Sequence, residues 1–292
     1  MNYIFLAFIA ASCFALSQVI TKLLSKHSID NKDSMMAYFM LTTFSFAFFL
    51  IPFVPLSLPS FEVLKLIFIS NTAFLVGYYF FFTGIYDADA SSFAPLFQLQ
   101  AGLIGVLAFL FLGERFPAHS YFWLAILILG AVLVSLDEDM TPKSFLKKGI
   151  LFIILMQIFH AVSNLFVGIT LKSTTPVQFL FWENLMIGAI CIVFILLRRP
   201  KMNYKFKTVV APMIVSSYIV GIGVVALFEA FKQNLTISSV VGLLSAPIVF
   251  VISIIASRFS PKFLEHHTTK VYLIRGIGML IILLGVYKIT TG

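Results

Sequence analysis

The chain has 292 residues, of which 60% are hydrophobic, 16% aromatic and only 11% charged, and its mean hydropathy is +1.04. A soluble domain carries about twice that share of charged residues, so the composition excludes a cytosolic enzyme, a disordered regulator and a secreted disulfide scaffold. The net charge of +8 indicates basic loops facing the anionic cytoplasmic side of a membrane. Cys13 and Cys191 lie inside apolar runs and predict no disulfide.

Apolar runs along the chain predict membrane-spanning helices, because a bilayer core about 30 Å thick needs about 20 apolar helical residues. We place ten spans near residues 2–24, 35–54, 63–84, 91–112, 119–136, 149–171, 176–197, 209–231, 237–257 and 271–289. The connections at 113–117 and 172–176 are so short that only a tight turn fits. The sequence therefore predicts an all-α integral membrane protein, which we expect in the inner membrane of a bacterium.

The basic residues predict an orientation for these spans. Of the 20 Lys and Arg residues, 15 lie at one set of helix ends and five at the other. Because basic loops are retained in the cytoplasm, this asymmetry places both chain termini outside.

An internal repeat is the most informative pattern in the sequence. The segment 14–19 matches 160–165 at a constant offset, and Ser91-Ser92 opens the fourth span as Ser238-Ser239 opens the ninth. We interpret residues 1–140 and 141–292 as two five-helix repeats. Because each repeat has an odd number of spans, the two repeats enter the membrane in opposite senses. Inverted repeats of this kind are typical of secondary transporters, whose solute site lies between the halves. The alternative is chance recurrence of small residues, as in any helix bundle.

The sequence resembles the EamA-like branch of the drug/metabolite transporter superfamily. The resemblance rests on Gly113-Glu114-Arg115 after span four, the small residues of spans one and six, the Ser-Ser openings of spans four and nine, and Ala246-Pro247. It implies a ten-span carrier built of two five-span repeats, with cytoplasmic termini. That orientation disagrees with the charge asymmetry. The chain also carries Glu183 where many relatives have an arginine.

Two acidic residues within the spans are functional candidates, because an ionisable group there costs about 2.5 to 3.5 kcal/mol on insertion scales. These are Glu183 in span seven and Glu229 in span eight. For Glu229 the alternative is a surface pair with Lys232, and for Glu183 it is an interfacial acid exposed to water. If either carboxylate lies in a poorly solvated cavity, it could exchange a proton for solute.

Polar and polar-tipped side chains in the middle of spans complete the predicted substrate site. Amide and imidazole groups there need partners within the bundle, and aromatic faces beside carboxylates suit a cationic or zwitterionic organic solute through cation–π contacts. The predicted substrate-binding residues are Gln18, Tyr78, Tyr79, Gln98, His160, Asn164, Trp182, Glu183, Tyr218, Glu229 and Ser245.

These patterns together favour a secondary transporter of a small organic metabolite, such as an amino acid, an amine or a nucleotide-derived cofactor, working by alternating access. Proton coupling and solute exchange both remain open. The alternatives are an intramembrane enzyme and a non-transporting bundle, but the sequence contains no zinc-protease, nucleophile-elbow or nucleotide-binding motif. We expect no cofactor, no metal and no nucleic-acid partner, and either a monomer or a homodimer in the bilayer.

Overall fold

The computed structural model describes residues 2–55, 57–86, 94–113, 118–134, 148–202, 204–242, 244–259 and 268–291. Within these ranges all regular secondary structure is helical. The α-helices are α1 (Tyr3–His27), α2 (Lys32–Leu50), α3 (Phe61–Ile85), α4 (Gln98–Leu107), α5 (Ala118–Val134), α6 (Lys148–Thr170), α7 (Pro176–Arg198), α8 (Ala211–Phe231), α9 (Leu235–Gly242), α10 (Ser245–Phe259) and α11 (Thr269–Thr291). Short 3₁₀ segments occupy Ile51–Phe53 and Ala94–Phe97, and π-helical segments occupy Ala108–Leu112 and Phe206–Val210.

The helices begin and end at residues suited to those positions. The Asn2 side chain accepts a hydrogen bond from the Ile4 N–H at the start of α1, and Asn31 does the same for Ser34 in α2. Thr175 caps α7, whose first residue, Pro176, has no N–H to leave unpaired. These caps satisfy backbone donors that lipid could not.

By length and composition, the described part of the chain contains eight helical segments that could cross a membrane. They are Tyr3–His27, Lys32–Phe53, Phe61–Ile85, Gly149–Thr170, Pro176–Arg198, Phe206–Phe231, Leu235–Ile252 and Leu273–Thr290. Two shorter apolar helices, Gly102–Leu112 and His119–Gly130, coincide with the predicted fourth and fifth spans. The protein is therefore an all-helical integral membrane protein, and the corresponding prediction is confirmed.

The predicted ninth span, near 237–257, contains two helices. Helix α9 ends at Gly242 and α10 begins at Ser245. Pro247 lies in the first turn of α10, where its missing N–H breaks no helical hydrogen bond. In the interior of a continuous helix, a proline would break such a hydrogen bond. The sequence therefore favours a new helix that begins just before Pro247.

Helix packing divides the molecule into a central group and one peripheral pair. Helix α3 packs along α6, α1 along α8 and α2 along α7, whereas α5 packs along α11. Glycines permit the closest crossings, since a Cβ on Gly77 of α3 would collide with the His160 ring of α6. Likewise a Cβ on Gly223 of α8 would lie 2.7 Å from the Cys13 Cβ of α1. These crossings bring α1, α3, α6 and α8 together at the centre of the bundle.

Candidate solute-binding cavity

A cavity of about 190 Å³ lies at the centre of the helix bundle. Its walls come from α1, α2, α3, α6, α7 and α8, with further contributions from α4, α9, α10 and Phe97. No described residue of α5 or α11 lines it. The peripheral pair therefore stands outside this cavity.

One carboxylate and one imidazole line the described part of the cavity. Among the described lining residues, Glu183 is the one carboxylate, His160 is the one imidazole, and neither Lys nor Arg occurs. Their side chains are well buried, with exposed fractions of 5% and 8%. The Nε2 atom of His160 is buried without a hydrogen-bond partner, and so is the Oε1 atom of Gln18. Since buried polar atoms are normally paired, these two are available to a ligand.

Hydroxyl groups join the central helices to one another. The Oγ atoms of Ser17 in α1 and Ser216 in α8 lie 2.7 Å apart, within hydrogen-bond distance. The Oγ atoms of Ser70 in α3 and Ser163 in α6 lie 3.1 Å apart. Interhelical hydrogen bonds of this kind hold helices together in a membrane, where apolar burial does not.

Aromatic rings cover the wall formed by α2, α3 and α6. The rings of Phe39 and Tyr78 stack with centroids 4.1 Å apart, and those of Phe74 and His160 stack at 5.4 Å. Tyr78 also lies 5.0 Å from the His160 ring and 5.6 Å from Phe82. We call these five residues the aromatic cluster. Such a surface can attract a cation through the negative faces of its rings.

Six of the eleven predicted site residues line the cavity. They are Gln18, Tyr78, His160, Asn164, Glu183 and Ser245. The Gln18 amide lies 3.5 Å from the Ser245 hydroxyl, so α1 contacts the start of α10 at the cavity. The alternative interpretation of Glu183, an interfacial acid exposed to water, does not fit its burial.

Two predicted residues contact charged side chains at helix ends instead. The Tyr79 hydroxyl accepts a hydrogen bond of 2.6 Å from Arg198, and the Lys32 ammonium lies 4.9 Å from the ring centroid. Glu229 and Lys232 form an ion pair at 3.3 Å, with both side chains about two-fifths exposed. For Glu229 the structure thus contains the surface pair that sequence analysis gave as the alternative.

Of the three remaining predicted residues, the structure describes the polar groups of Tyr218 and Trp182. The Tyr218 hydroxyl donates to the Ser45 carbonyl oxygen at 3.3 Å, and its ring meets Phe46 edge to face. Trp182 packs edge to face against Phe181, and its indole Nε1 is buried without a partner. The side chain of Gln98 lies outside the described residues.

Several polar lining residues were absent from the predicted site, namely Ser17, Thr21, Thr43, Gln100, Ser163, Asn184, Ser216, Ser217 and Ser239. The repeat contained a signal for two of them. Ser216 and Ser217 lie 146 positions after Ser70 and Asn71, the same shift that relates segments 14–19 and 160–165. Extending the match to spans three and eight would have found this pair.

Comparison with known proteins identifies the N-terminal part of the chain. The model of the EamA-like transporter family matches residues 1–136. This stretch is an EamA-like segment. The resemblance inferred from the sequence is therefore confirmed. The description of the matching family is that of a transporter family, so the similarity of this stretch points to a membrane transporter.

The fold of the EamA-like segment and of the rest of the chain has a counterpart among solved structures. A structure titled "Crystal structure of protein" is similar with a TM-score of 0.66 and 16% identity, over 99% of this chain and 95% of that chain. At that identity the similarity concerns the fold alone. No curated protein matches the chain.

Proposed function

We propose that the protein is a ten-span secondary carrier, in which residues 1–140 and 141–292 form oppositely inserted five-helix repeats around a central solute site. The cargo is a small organic metabolite, and transport proceeds by alternating access. We place the carrier in a bacterial inner membrane as a monomer or homodimer. The fourth and fifth spans correspond to the two shorter apolar helices.

The observation that carries this proposal is the equivalence of the two serine pairs in the centre of the bundle. Ser163 lies 146 positions after Ser17, and Ser216 lies 146 positions after Ser70. The bond between α1 and α8 therefore has a counterpart between α6 and α3, with the two repeats exchanged. A pseudo-two-fold relation between the halves accounts for both bonds, and chance recurrence of serine does not.

The helix crossings at Gly77 and Gly223 are related by the same shift of 146 positions. A Cβ on Gly77 would meet the His160 ring and lie 3.4 Å from the Met156 carbonyl oxygen. A Cβ on Gly223 would lie 3.4 Å from the Phe14 ring and 3.5 Å from the Ala10 carbonyl oxygen. The residues of the second set are the equivalents of the first at the same shift of 146 positions. The α3–α6 and α1–α8 crossings thus support two copies of one packing arrangement.

The cavity lining supports a site shared between the repeats. Helix α1 contributes residues 14, 17, 18 and 21, and α6 contributes the equivalent residues 160, 163, 164 and 167. Two repeats with the same packing can exchange conformations, and that exchange would open their shared cavity to each side of the membrane in turn. Coupling would use the buried Glu183 or His160, or would consist of solute-for-solute exchange.

Counterflow in proteoliposomes tests this proposal. A thermal-shift screen against a metabolite panel first finds a solute that stabilises the purified protein. We expect unlabelled solute inside the proteoliposomes to accelerate uptake of the labelled solute. The reason is that a carrier reorients faster with bound solute than without it. Solute movement without acceleration by counterflow would contradict a carrier.

A cross-link tests the alternating arrangement itself. In a Cys13→Ala/Cys191→Ala background, the pair Ser17→Cys and Ser216→Cys should form a disulfide that stops exchange, and reduction should restore it. The single variant Ser17→Cys is the control, because oxidation should leave it active. Full exchange with the disulfide formed would contradict relative movement of α1 and α8.

A further inference from the structure

We propose that the cavity binds an amphipathic organic monocation. Its cationic group would lie between Glu183 and the aromatic cluster, and its apolar part would lie against α8. This inference rests on the proposed function, because it takes the central cavity as the solute site. It goes further by assigning a charge and an orientation to the solute.

The buried carboxylate is the first step. Glu183 lies in neither of the ion pairs Arg198–Asp33 and Lys232–Glu229, and no Lys or Arg occurs in the described cavity lining. An ionised carboxylate in such a place is unfavourable unless a positive partner replaces its lost hydration. A cationic ligand supplies that partner, and the cavity gives it access to the carboxylate.

The position of Glu183 relative to the aromatic cluster is the second step. The Asn71 amide of α3 donates to the Glu183 carbonyl oxygen at 3.4 Å, which fixes this part of α7 against α3. Glu183 and Tyr78 both line the cavity. A cation between them would therefore contact both a carboxylate and ring faces, a combination suited to an alkylammonium group.

The chemical difference between equivalent walls is the third step. Helix α3 contributes Phe74, Tyr78, Phe81 and Phe82 to the cavity, and 146 positions later α8 contributes Val220, Val224, Leu227 and Phe228. Glu183 has no acidic counterpart in α2, whose sequence contains no Asp or Glu after Asp33. Helices α3 and α8 thus pack in equivalent ways, but the side chains that they contribute to the cavity differ in chemical character. One wall suits a cation, and the other suits a hydrocarbon group.

The same lining disfavours a solute with a carboxylate. Such a group would bring a second negative charge into a cavity whose described lining offers no Lys or Arg. Among the described lining residues, Ser245 lies at the N-terminal end of α10, where the helix dipole favours an anion. A zwitterion bound there is the competing outcome, and the experiment separates the two.

Calorimetric titration of the purified full-length protein tests the charge. The probes are 2-phenylethylamine, phenylalanine, 3-phenylpropionate and 2-phenylethanol, which share a phenyl group and differ in charge. We expect the amine to bind at least tenfold more tightly than each of the others. Equal or tighter binding of phenylalanine, 3-phenylpropionate or 2-phenylethanol, or no binding of the amine, would overturn the proposal.

Variants of the two walls test the orientation. Glu183→Gln should weaken amine binding at least tenfold, and Tyr78→Leu should weaken it severalfold while keeping an apolar side chain there. Glu229→Gln is the matched control, because it removes a carboxylate outside the cavity and should leave affinity unchanged. Val220→Ser/Val224→Ser should weaken 2-phenylethylamine but not methylamine. Amine binding that survives Glu183→Gln, or that falls equally with Glu229→Gln, would overturn the assignment.

These outcomes are separable from those of the counterflow experiment. Binding in detergent requires no transport, so a bound amine that is not exchanged would refute the carrier and leave the site standing. Conversely, counterflow of an anionic or zwitterionic solute would support the carrier and refute the monocation.

Discussion

The hydroxyls of Ser17 and Ser216 lie 2.7 Å apart and connect α1 to α8 in a region where both side chains are buried. The equivalent hydroxyls of Ser70 and Ser163 connect α3 to α6 at 3.1 Å. The two bonds hold the proposed repeats together at related points on either side of the cavity. Their energies should therefore be similar.

A double-mutant cycle on Ser17→Ala and Ser216→Ala measures the first of these bonds. Interhelical hydrogen bonds in membrane proteins contribute about 0.6 kcal/mol on average, so we expect a coupling energy of about that size. The readout is the free energy of unfolding in mixed micelles. The cycle on Ser70→Ala and Ser163→Ala should give a similar value, and a coupling near zero in both would contradict their structural role.

Gly77 tests the close crossing of α3 and α6. A Cβ there would lie 2.8 Å from the His160 Nε2 atom, and His160 is held against the Phe74 ring. Gly77→Ala should therefore lower the free energy of unfolding by about 1–3 kcal/mol, as overpacking does. Displacing His160 should also alter solute binding. Thermal unfolding in detergent and ligand titration are the two measurements.

Gly276→Ala is the matched control for this substitution. A Cβ at Gly276 in α11 would meet nothing within 4 Å, and α11 lies outside the cavity lining. Alanine favours a helix over glycine, so stability should be unchanged or slightly higher. A loss of stability as large as that of Gly77→Ala would show that any helical glycine gives the effect.

Glu229 and Glu183 should respond differently to neutralisation. Glu229→Gln removes a half-exposed pair with Lys232, and such pairs contribute between 0 and about 1 kcal/mol. We expect counterflow and melting temperature to be almost unchanged by Glu229→Gln, and counterflow to be strongly reduced by Glu183→Gln. Loss of transport in Glu229→Gln with the protein still folded would return Glu229 to the candidate site.

Much of the fold could be predicted from the sequence because a bilayer imposes a length and an apolar composition on each span. Which side chains of each helix face the cavity could not be predicted. In a membrane protein, both the lipid-facing and the core-facing sides of a helix are apolar, so hydrophobic periodicity does not separate them. Tyr78 and Tyr79 illustrate this, since successive residues point about 100° apart and only Tyr78 lines the cavity.

Polar residues were the more reliable indicators of the site, with an exception that has a physical cause. Gln18, His160, Asn164 and Glu183 lie away from helix ends and line the cavity, because an unpaired polar group there is unfavourable in lipid. Glu229 lies two residues before the end of α8, where the side chain reaches the helix end and meets Lys232. Distance from the helix end therefore separates the acidic residue that lines the cavity from the one that does not.

The hydroxyl of Tyr86 stabilises a connection between helices, which a substitution can test. Its hydroxyl, one residue beyond α3, donates to the Ile29 carbonyl oxygen at 2.7 Å and joins the end of α3 to the α1–α2 connection. Burial, and then the charge of Asp30, raise the pKa of Tyr86 above its ordinary value of 10.0. Tyr86→Phe should lower the free energy of unfolding by about 0.5–1.5 kcal/mol at pH 8.

The pH dependence of this difference follows from the raised pKa. Below pH 10 the phenol is neutral in both folded and unfolded chains, so its stabilising contribution is fully present. Above pH 10 the unfolded chain loses the proton more readily, and the difference between wild type and Tyr86→Phe should shrink as the pH rises. Tyr204→Phe is the control, because Tyr204 is 75% exposed and the substitution should change the free energy of unfolding little. A Tyr86→Phe difference that grows between pH 8 and pH 11 would contradict a neutral, donating hydroxyl.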